Sequence, residues 1–206
     1  MATEETQQST EEKIKEAARK VFTRKGFAAT RTRDIAEESG YNLALINYYF
    51  RSKEKLFEIV MFENIQHFVK GVLDIVTNET TELESKIEHL VQHYIEMLIA
   101  NPGLPMFVLN TVQSDPEQFF KNTGINSENR PLHMVKQIRQ MAEDGKMPPI
   151  NPVHIYVNMM SLILFPFLGA PMIKHKGSMS DEQFNALMRE RIILIPRWIK
   201  AMLQNG

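Results

Sequence analysis

The fold of this chain is decided near its N-terminus, in the stretch Thr32-Arg-Asp-Ile-Ala-Glu-Glu-Ser-Gly40-Tyr-Asn-Leu-Ala-Leu-Ile-Asn-Tyr48-Tyr49-Phe50-Arg-Ser-Lys53. The stretch is typical of two short helices joined by a tight turn. Thr32 is placed to cap the first helix through its hydroxyl, and Gly40 to end it, because glycine tolerates left-handed backbone. Asn42 is the expected cap of a second helix from Leu43 to Tyr49. The sequence therefore predicts a helix, a glycine turn and a second helix in succession.

The two faces of the predicted second helix differ in character. Leu45 and Ile46 are expected to face a small core with Phe50 just beyond them, whereas Asn47 and Tyr48 are expected to point to solvent. A helix, a short turn and a second helix form the arrangement that places the second helix in the major groove of DNA. The same spacing also suits a packed helical hairpin with no role in DNA binding, so spacing alone leaves both alternatives open.

A longer pattern surrounds this stretch, and it resembles a known family. Residues 12 to 60 are similar to the DNA-binding domain of the TetR family of bacterial transcriptional repressors. The resemblance implies an all-α fold, in which an N-terminal three-helix helix-turn-helix domain is followed by a larger helical domain that binds a ligand and dimerises. The residues that carry the resemblance are Ile14, Ala17, Ala18, Phe22, Gly26, Phe27, Thr30, Thr32, Ile35, Ala36, Gly40, Tyr48, Phe50, Lys53 and Leu56.

Charge is distributed unevenly along the chain, although the net charge is only −1. From Lys13 to Lys55 there are 11 Lys and Arg residues against 5 Asp and Glu residues, whereas residues 1 to 12 carry 4 Glu. Phosphate contacts supply most of the non-specific affinity for DNA, so a local excess of cations is the useful quantity. A solvated basic helix face is the alternative. We predict a DNA-binding domain over residues 1–52 and an effector-binding and dimerisation domain over residues 53–206.

The resemblance assigns the DNA contacts to particular side chains. Base readout is expected chiefly from Asn47, whose amide can pair with adenine, and from Leu43 and Ala44, which can contact thymine methyl groups. Family members often have an aromatic residue at the position of Asn47, and the second helix here has no Lys or Arg. This departure leaves the operator sequence open. The remaining predicted members of the DNA-binding surface are Thr32, Arg33, Asn42, Tyr48, Tyr49 and Lys53, most of them as phosphate contacts.

The residues after Lys53 repeat apolar side chains at helical spacing and are expected to form the effector domain. A long first helix of this region would reach from the DNA-binding domain into the second domain. The 13 Met and 12 Phe of the chain suit an adaptable apolar pocket, and they also suit any helical core. The resemblance implies a cavity for a small apolar or amphipathic effector. Its candidate lining residues are Tyr94, Met97, Phe107 and Phe119.

An uncharged segment extends from Met147 through Ile173. A membrane anchor over residues 153–173 is one interpretation. Prolines leave about 14 residues of uninterrupted helix after Pro152, ~21 Å in length, which is short of the ~30 Å hydrocarbon core. A helix that is apolar all round is more typical of burial between subunits. Together with the last helix, which Pro196 is expected to kink or end early, the segment predicts a homodimer built as a four-helix bundle, as the resemblance also implies.

Several classes of protein are disfavoured by what the sequence lacks. There are no cysteines, which removes disulfides and thiolate chemistry and fits the reducing cytoplasm. The polar, acidic start has no signal-peptide pattern. His89 and His93 have a spacing that can hold one metal ion, but no third ligand is evident. No phosphate-binding glycine loop and no nucleophile motif occur. We therefore expect no enzyme activity, no cofactor and no metal.

These observations predict a sequence-specific DNA-binding transcriptional regulator, acting in the cytoplasm as a homodimer. The expected mechanism is that of a repressor that binds a palindromic, double-stranded operator and is released by a small molecule. One alternative is a constitutive DNA-binding dimer, or an activator, with no small-molecule effector. The other is a membrane-associated helical protein anchored by residues 153–173.

Overall fold

The computed structural model describes residues 2–125 and 133–205, and the side chains of residues 10–125 and 133–204. The described residues form helices joined by short turns and contain no strand, which confirms the predicted all-α fold. In chain order the helices are α1 (Ala2–Ala29), α2 (Thr32–Ser39), α3 (Leu43–Phe50), α4 (Lys53–Thr77), α5 (Leu83–Ala100), α6 (Leu104–Ser114), α7 (Pro116–Thr123), α8 (His133–Glu143), α9 (Pro152–Leu168), α10 (Ala170–Gly177) and α11 (Asp181–Asn205).

The chain divides into two compact units, one over residues 1–67 and the other over residues 68–206. The boundary lies within α4, so the first turns of this long helix belong to the N-terminal unit. The predicted division after residue 52 concerns which part of the chain binds DNA, and it stays a prediction.

The N-terminal unit has a small apolar core to which α1, α2, α3 and α4 all contribute. Ile35, Ile46 and Phe50 are almost fully buried, as the sequence predicts. Helix α1 is broken near its end, where Gly26 has a φ of 72°. That left-handed conformation favours glycine. After the break, the ring of Phe27 packs against Phe57 with centroids 4.6 Å apart. The remaining buried apolar residues of this core are Ile14, Ala17, Ala18, Val21, Phe22, Leu56, Val60, Met61 and Ile65.

Polar contacts join α4 to α1 beside this core. The carboxylate of Glu63 on α4 accepts a hydrogen bond from Lys15 Nζ at 2.6 Å and another from the guanidinium of Arg19. Lys15 is buried, and it also pairs with Glu12 one turn earlier. Burial opposes the charge of Lys15, but its hydrogen bonds to Glu12 and Glu63 outweigh that effect and raise its pKa. Helix α4 is therefore fixed to α1 by charge as well as by apolar packing.

The C-terminal unit is built around α5, which packs against α8, α9 and α11. Near its start, Gly71 on α4 faces His93 on α5. The His93 ring stacks on Phe68 with centroids 4.7 Å apart, and His93 Nε2 lies 3.2 Å from the Phe68 carbonyl oxygen. The buried residues of this core come from every long helix of the unit: Val76, Leu83, Ile87, Leu90, Val91, Ile95, Leu98, Met134, Ile138, Met147, Ile155, Met159, Met160, Ile163, Phe167, Phe184, Met188, Ile195, Ile199 and Leu203.

Two prolines lie inside the helices of this unit, and neither ends its helix. Pro166 has no N–H, so the Leu162 carbonyl one turn earlier loses its helical donor. Arg191 on α11 supplies the replacement, because its Nη2 donates to that carbonyl at 2.9 Å. Helix α11 continues past Pro196 to Asn205, so of the two predicted effects of Pro196, a kink or an early end, the early end is wrong.

The uncharged segment does not form one straight helix. It divides at Gly169 into α9 and α10, whose axes differ by 64°. Across residues 2–125 and 133–205, no single helix combines the length and apolarity that crossing a membrane requires. Two pairs of consecutive helices reach that length and apolarity only when the two helices of a pair are counted together, and each pair is sharply bent. The bend is 96° between α5 and α6 and 64° between α9 and α10.

Candidate nucleic-acid interface

Helix α2 begins differently from the sequence prediction. Arg31, not Thr32, is the residue before the helix, and the carboxylate of Asp34 accepts a hydrogen bond from the Arg31 N–H at 2.8 Å. The predicted capping role of Thr32 is wrong because Asp34 satisfies the exposed backbone from within the first turn. This backbone hydrogen bond, together with the ion pair to Lys25, lowers the pKa of Asp34. At the other end Gly40 has a φ of 74°, as predicted.

Helix α3 begins and ends as the sequence predicts, to within one residue. The Asn42 side-chain oxygen accepts a hydrogen bond from the Leu45 N–H at 2.8 Å, which confirms the predicted cap. Ile46 and Phe50 are buried against the core, and the helix ends at Arg51, whose N–H donates to the Asn47 carbonyl at 3.0 Å. The capped, anchored helix thus presents one fixed outer face.

The outer face of α3 is uncharged. Leu43, Ala44, Asn47 and Tyr48 are all exposed, and Tyr48 is the most open of them at 70% exposure. Together they offer an amide, a phenol and alkyl groups, which can pair with adenine, reach phosphate or contact thymine methyl groups. Tyr49 is half-buried, with its ring edge-on to that of Tyr48 at 5.3 Å. The face has the chemistry of base readout without a point charge.

Exposed cations occur at the start of α2 and directly after α3. Arg31 and Arg33 at the start of α2 and Arg51 after α3 are exposed. Arg51 was not singled out by the sequence analysis. It has a φ of 64°, which is uncommon for a residue other than glycine, and it follows α3 directly. The position of Arg51 directly after α3 depends on this left-handed turn. The sequence did not predict the turn, because the residue there is not glycine.

Lys53 lies at the start of α4 but its ammonium points into the unit. Nζ donates to the carbonyl oxygens of Phe27 and Thr30, each at 3.1 Å, and lies 4.1 Å from the centroid of the Phe27 ring. Thr32 is half-buried and Arg33 is exposed. The predicted phosphate contacts of these residues stay predictions, and the ammonium of Lys53 is already engaged by two carbonyl groups.

The four candidate effector residues lie on three helices of the C-terminal unit. Tyr94 and Met97 are half-buried on α5, Phe107 is half-buried on α6, and Phe119 is buried on α7. The Tyr94 ring meets Phe68 edge-on at 4.6 Å, and burial, helped by Tyr156, raises the pKa of its phenol. The role of these four residues in ligand binding stays a prediction.

The histidines that could suggest a metal have other surroundings. His93 is engaged with Phe68, and His89 is exposed. In the part of the chain that the structure describes, no group of three or more His, Cys, Asp and Glu side chains is placed to hold a metal ion.

Comparison with known proteins gives the same location for the DNA-binding region. The sequence model for bacterial regulatory proteins of the tetR family matches residues 14–60. Over 205 residues the chain is 26% identical to the probable HTH-type transcriptional regulator YttP of Bacillus subtilis, an alignment that covers 96% of each chain. The uncharacterized HTH-type transcriptional regulator YfiR of the same bacterium is 39% identical over 59 residues, 29% of each chain.

Solved structures share the fold. A transcriptional regulator of the TetR/AcrR family from Thermobifida fusca has a TM-score of 0.64 at 16% identity, over 92% of this chain and 95% of that one. A TetR transcription regulator from Haloarcula marismortui has a TM-score of 0.60 at 20% identity, over 92% and 97% of the two chains. Together with the helix-turn-helix geometry, the matched residues and the full-length relative, these likenesses confirm the resemblance. The N-terminal unit therefore carries a DNA-binding domain of the tetR type, and over its length the chain resembles bacterial transcriptional regulators of that family.

Proposed function

We propose that this regulator represses transcription as a homodimer, in the cytoplasm, and that a small apolar or amphipathic molecule releases it from its operator. The observation that carries the DNA-binding part is the outer face of α3. Four neighbouring side chains on it are exposed, while the opposite face is anchored by Ile46 and Phe50. Side chains held outward on a capped helix are what direct readout of the major groove requires.

The contacts follow from the chemistry of each side chain. Asn47 is proposed to pair with adenine, and Leu43 and Ala44 to contact thymine methyl groups, so the half-site should be rich in A·T pairs. Contacts to phosphate fix the register of the protein on the duplex but carry no sequence information. The residues proposed for phosphate are Thr32, Arg33, Tyr48 and Tyr49.

A homodimer is supported by an exposed apolar surface of the C-terminal unit. Six large apolar side chains on α9 and α11 are each between 42% and 59% exposed. Clusters of exposed apolar side chains are typical of surfaces that bind another protein. A second copy would cover it and would set two α3 helices against a palindrome, ~34 Å apart. The six residues are Val153, Tyr156, Val157, Phe165, Ile193 and Trp198.

Release by an effector is supported by the course of α4. This single helix contributes residues to both compact units, so a change around its C-terminal part can alter the spacing of the two α3 helices in the dimer. Tyr94 and Met97 on α5, Phe107 and Phe119 are the proposed contacts of the effector. The Tyr94 phenol is protonated at neutral pH and can donate a hydrogen bond, and burial raises its pKa further.

The test starts from the purified full-length protein and fragments of its host genome. Promoter fragments that it retains are sequenced, and a small-molecule library is then screened for release of the recovered operator. Asn47→Ala should relax base choice at one position of the half-site, whereas Tyr48→Ala should weaken binding to all sequences alike. Operator binding that no compound alters would remove the effector from the proposal, and binding that does not depend on salt would remove the phosphate contacts.

A further inference from the structure

We propose that Lys53 serves DNA binding as a positioning residue. Its ammonium holds the corner between α1 and α2, and so the start of α2, and does not itself bind phosphate. The inference rests on the proposed phosphate contacts of Thr32 and Arg33, which that corner would present to the DNA. It is independent of repression, of the effector and of dimerisation.

The first step is the set of contacts that Lys53 already makes. An ammonium group has three N–H donors. Two of them point at the carbonyl oxygens of Phe27 and Thr30, each 3.1 Å away, and the charge lies 4.1 Å from the centroid of the Phe27 ring. A lysine that turned toward a phosphate would give up both hydrogen bonds and the cation–π contact.

The second step is where those carbonyls lie. They belong to the segment after Gly26, whose φ of 72° has broken the regular helix. Thr30 in this segment is buried, and its hydroxyl donates to the Gly26 carbonyl at 2.7 Å. The segment therefore makes a tight corner, in which the Phe27 carbonyl oxygen also accepts from the Thr30 N–H at 3.3 Å, and Lys53 adds a donor to both carbonyl groups.

The third step links this corner to the DNA-binding surface. Thr30 is followed at once by Arg31, whose N–H is held by Asp34, and by Thr32 and Arg33 in the first turn of α2. Lys53 comes from α4, so its hydrogen bonds fix α2 relative to α4 within the N-terminal unit. The exposed cations Arg31 and Arg33 remain available for phosphate, and Lys53 is already occupied.

The absence of cysteine from the sequence permits a direct test. Lys53→Cys in the full chain has a single thiol, which can be alkylated in denaturant before refolding. Bromoethylamine restores a lysine-like ammonium with its N–H donors. Bromoethyl-trimethylammonium gives the same charge with no donor. Affinity for a labelled random-sequence duplex of about three helical turns is measured by fluorescence anisotropy over a range of NaCl concentrations, at a temperature where circular dichroism shows each form to be folded.

A positioning role predicts that the aminoethyl form binds like the unsubstituted protein. The trimethylated form should lose about tenfold in affinity, the scale of one charge-assisted hydrogen bond, and keep the salt dependence. Two results would overturn the inference. The first is equal affinity of both alkylated forms. The second is an unalkylated Lys53→Cys protein whose slope of log affinity against log salt is reduced by about 0.9, as expected when one phosphate contact is lost.

Two control variants separate this inference from the proposed site. Lys55→Cys, treated identically, alters an exposed lysine of the same helix whose partner is Glu58 at 2.9 Å, and its three forms should bind alike. Arg33→Met should reduce the salt slope by about 0.9. An unchanged slope for Arg33→Met would contradict the proposed phosphate contact of α2, whatever the Lys53 forms show.

Discussion

Replacing Gly71 by alanine should destabilise the protein when residue 93 is histidine and stabilise it when residue 93 is alanine. A Cβ added at Gly71 would lie 2.6 Å from His93 Nε2 and 2.7 Å from His93 Cε1, well inside van der Waals contact. The ring has little freedom to withdraw, because it is stacked on Phe68 and its Nε2 lies 3.2 Å from the Phe68 carbonyl oxygen. The substitution therefore forces the ring out of both contacts.

The magnitude follows from two opposing effects. Overpacking of this kind costs about 1–3 kcal/mol of the free energy of unfolding. Glycine in a helix interior is itself less favourable than alanine by about 1 kcal/mol. Gly71→Ala alone should therefore be destabilising by up to ~2 kcal/mol, after the gain in helix propensity is subtracted from the overpacking cost. In a His93→Ala background the clash is absent, and the same substitution should stabilise the protein by about 1 kcal/mol.

The assay is a double-mutant cycle of urea denaturation curves. Fluorescence of Trp198, the single tryptophan of the chain, reports on the C-terminal unit that contains both substituted residues. The coupling free energy between Gly71→Ala and His93→Ala should be at least ~1 kcal/mol. A Gly71→Ala protein that is equally destabilised whether or not His93 is present would refute the reasoning from the distance between Gly71 and the ring.

Three further outcomes are expected. Glu63→Gln weakens the bonds to Lys15 and Arg19 and should lower the free energy of unfolding by about 1–3 kcal/mol in urea titrations, against less than ~0.5 kcal/mol for the control Glu58→Gln, whose partner is the exposed Lys55 of the same helix. Because the pKa of Lys15 is raised on folding, the native state binds more protons than the unfolded state as that group titrates. The difference between the native protein and Glu63→Gln should be complete from neutral pH up to about pH 10.5 and shrink as pH rises through the folded pKa of Lys15. Arg191→Met should cost ~1–2 kcal/mol less in a Pro166→Ala background, where the backbone donor is restored; equal costs in thermal denaturation would exclude the proposed replacement of the missing N–H.

Local sequence signals were enough to predict helix α3. Gly40 and Asn42 each act on backbone within three residues of themselves, and both behave as predicted. The inward and outward faces of α3 follow from helical periodicity, so Ile46 is buried and Tyr48 is exposed. The cap at the start of α2 was not predicted correctly, because two nearby side chains, Thr32 and Asp34, can both accept a hydrogen bond from an exposed backbone N–H. The sequence alone does not show that Asp34 is the residue that does so.

Features that depend on distant parts of the chain could not be predicted. The carbonyl partners of Lys53 lie 26 and 23 residues before it, and no spacing rule reports where its side chain turns. The contact between Arg191 and the Leu162 carbonyl is of the same kind, since Pro166 shows only that a donor is missing. For the effector, the sequence names aromatic and methionine residues, but core packing and pocket lining use the same residue types.

The uncharged outer face of α3 has an evolutionary consequence. Under the proposed function, cations near the helix set how tightly the protein scans chromosomal DNA, whereas residues 43, 44 and 47 set where it stops. The two properties are thus encoded by separate side chains. After gene duplication, one copy could acquire a new target by changes at those three positions while the time that it spends searching the genome stays the same.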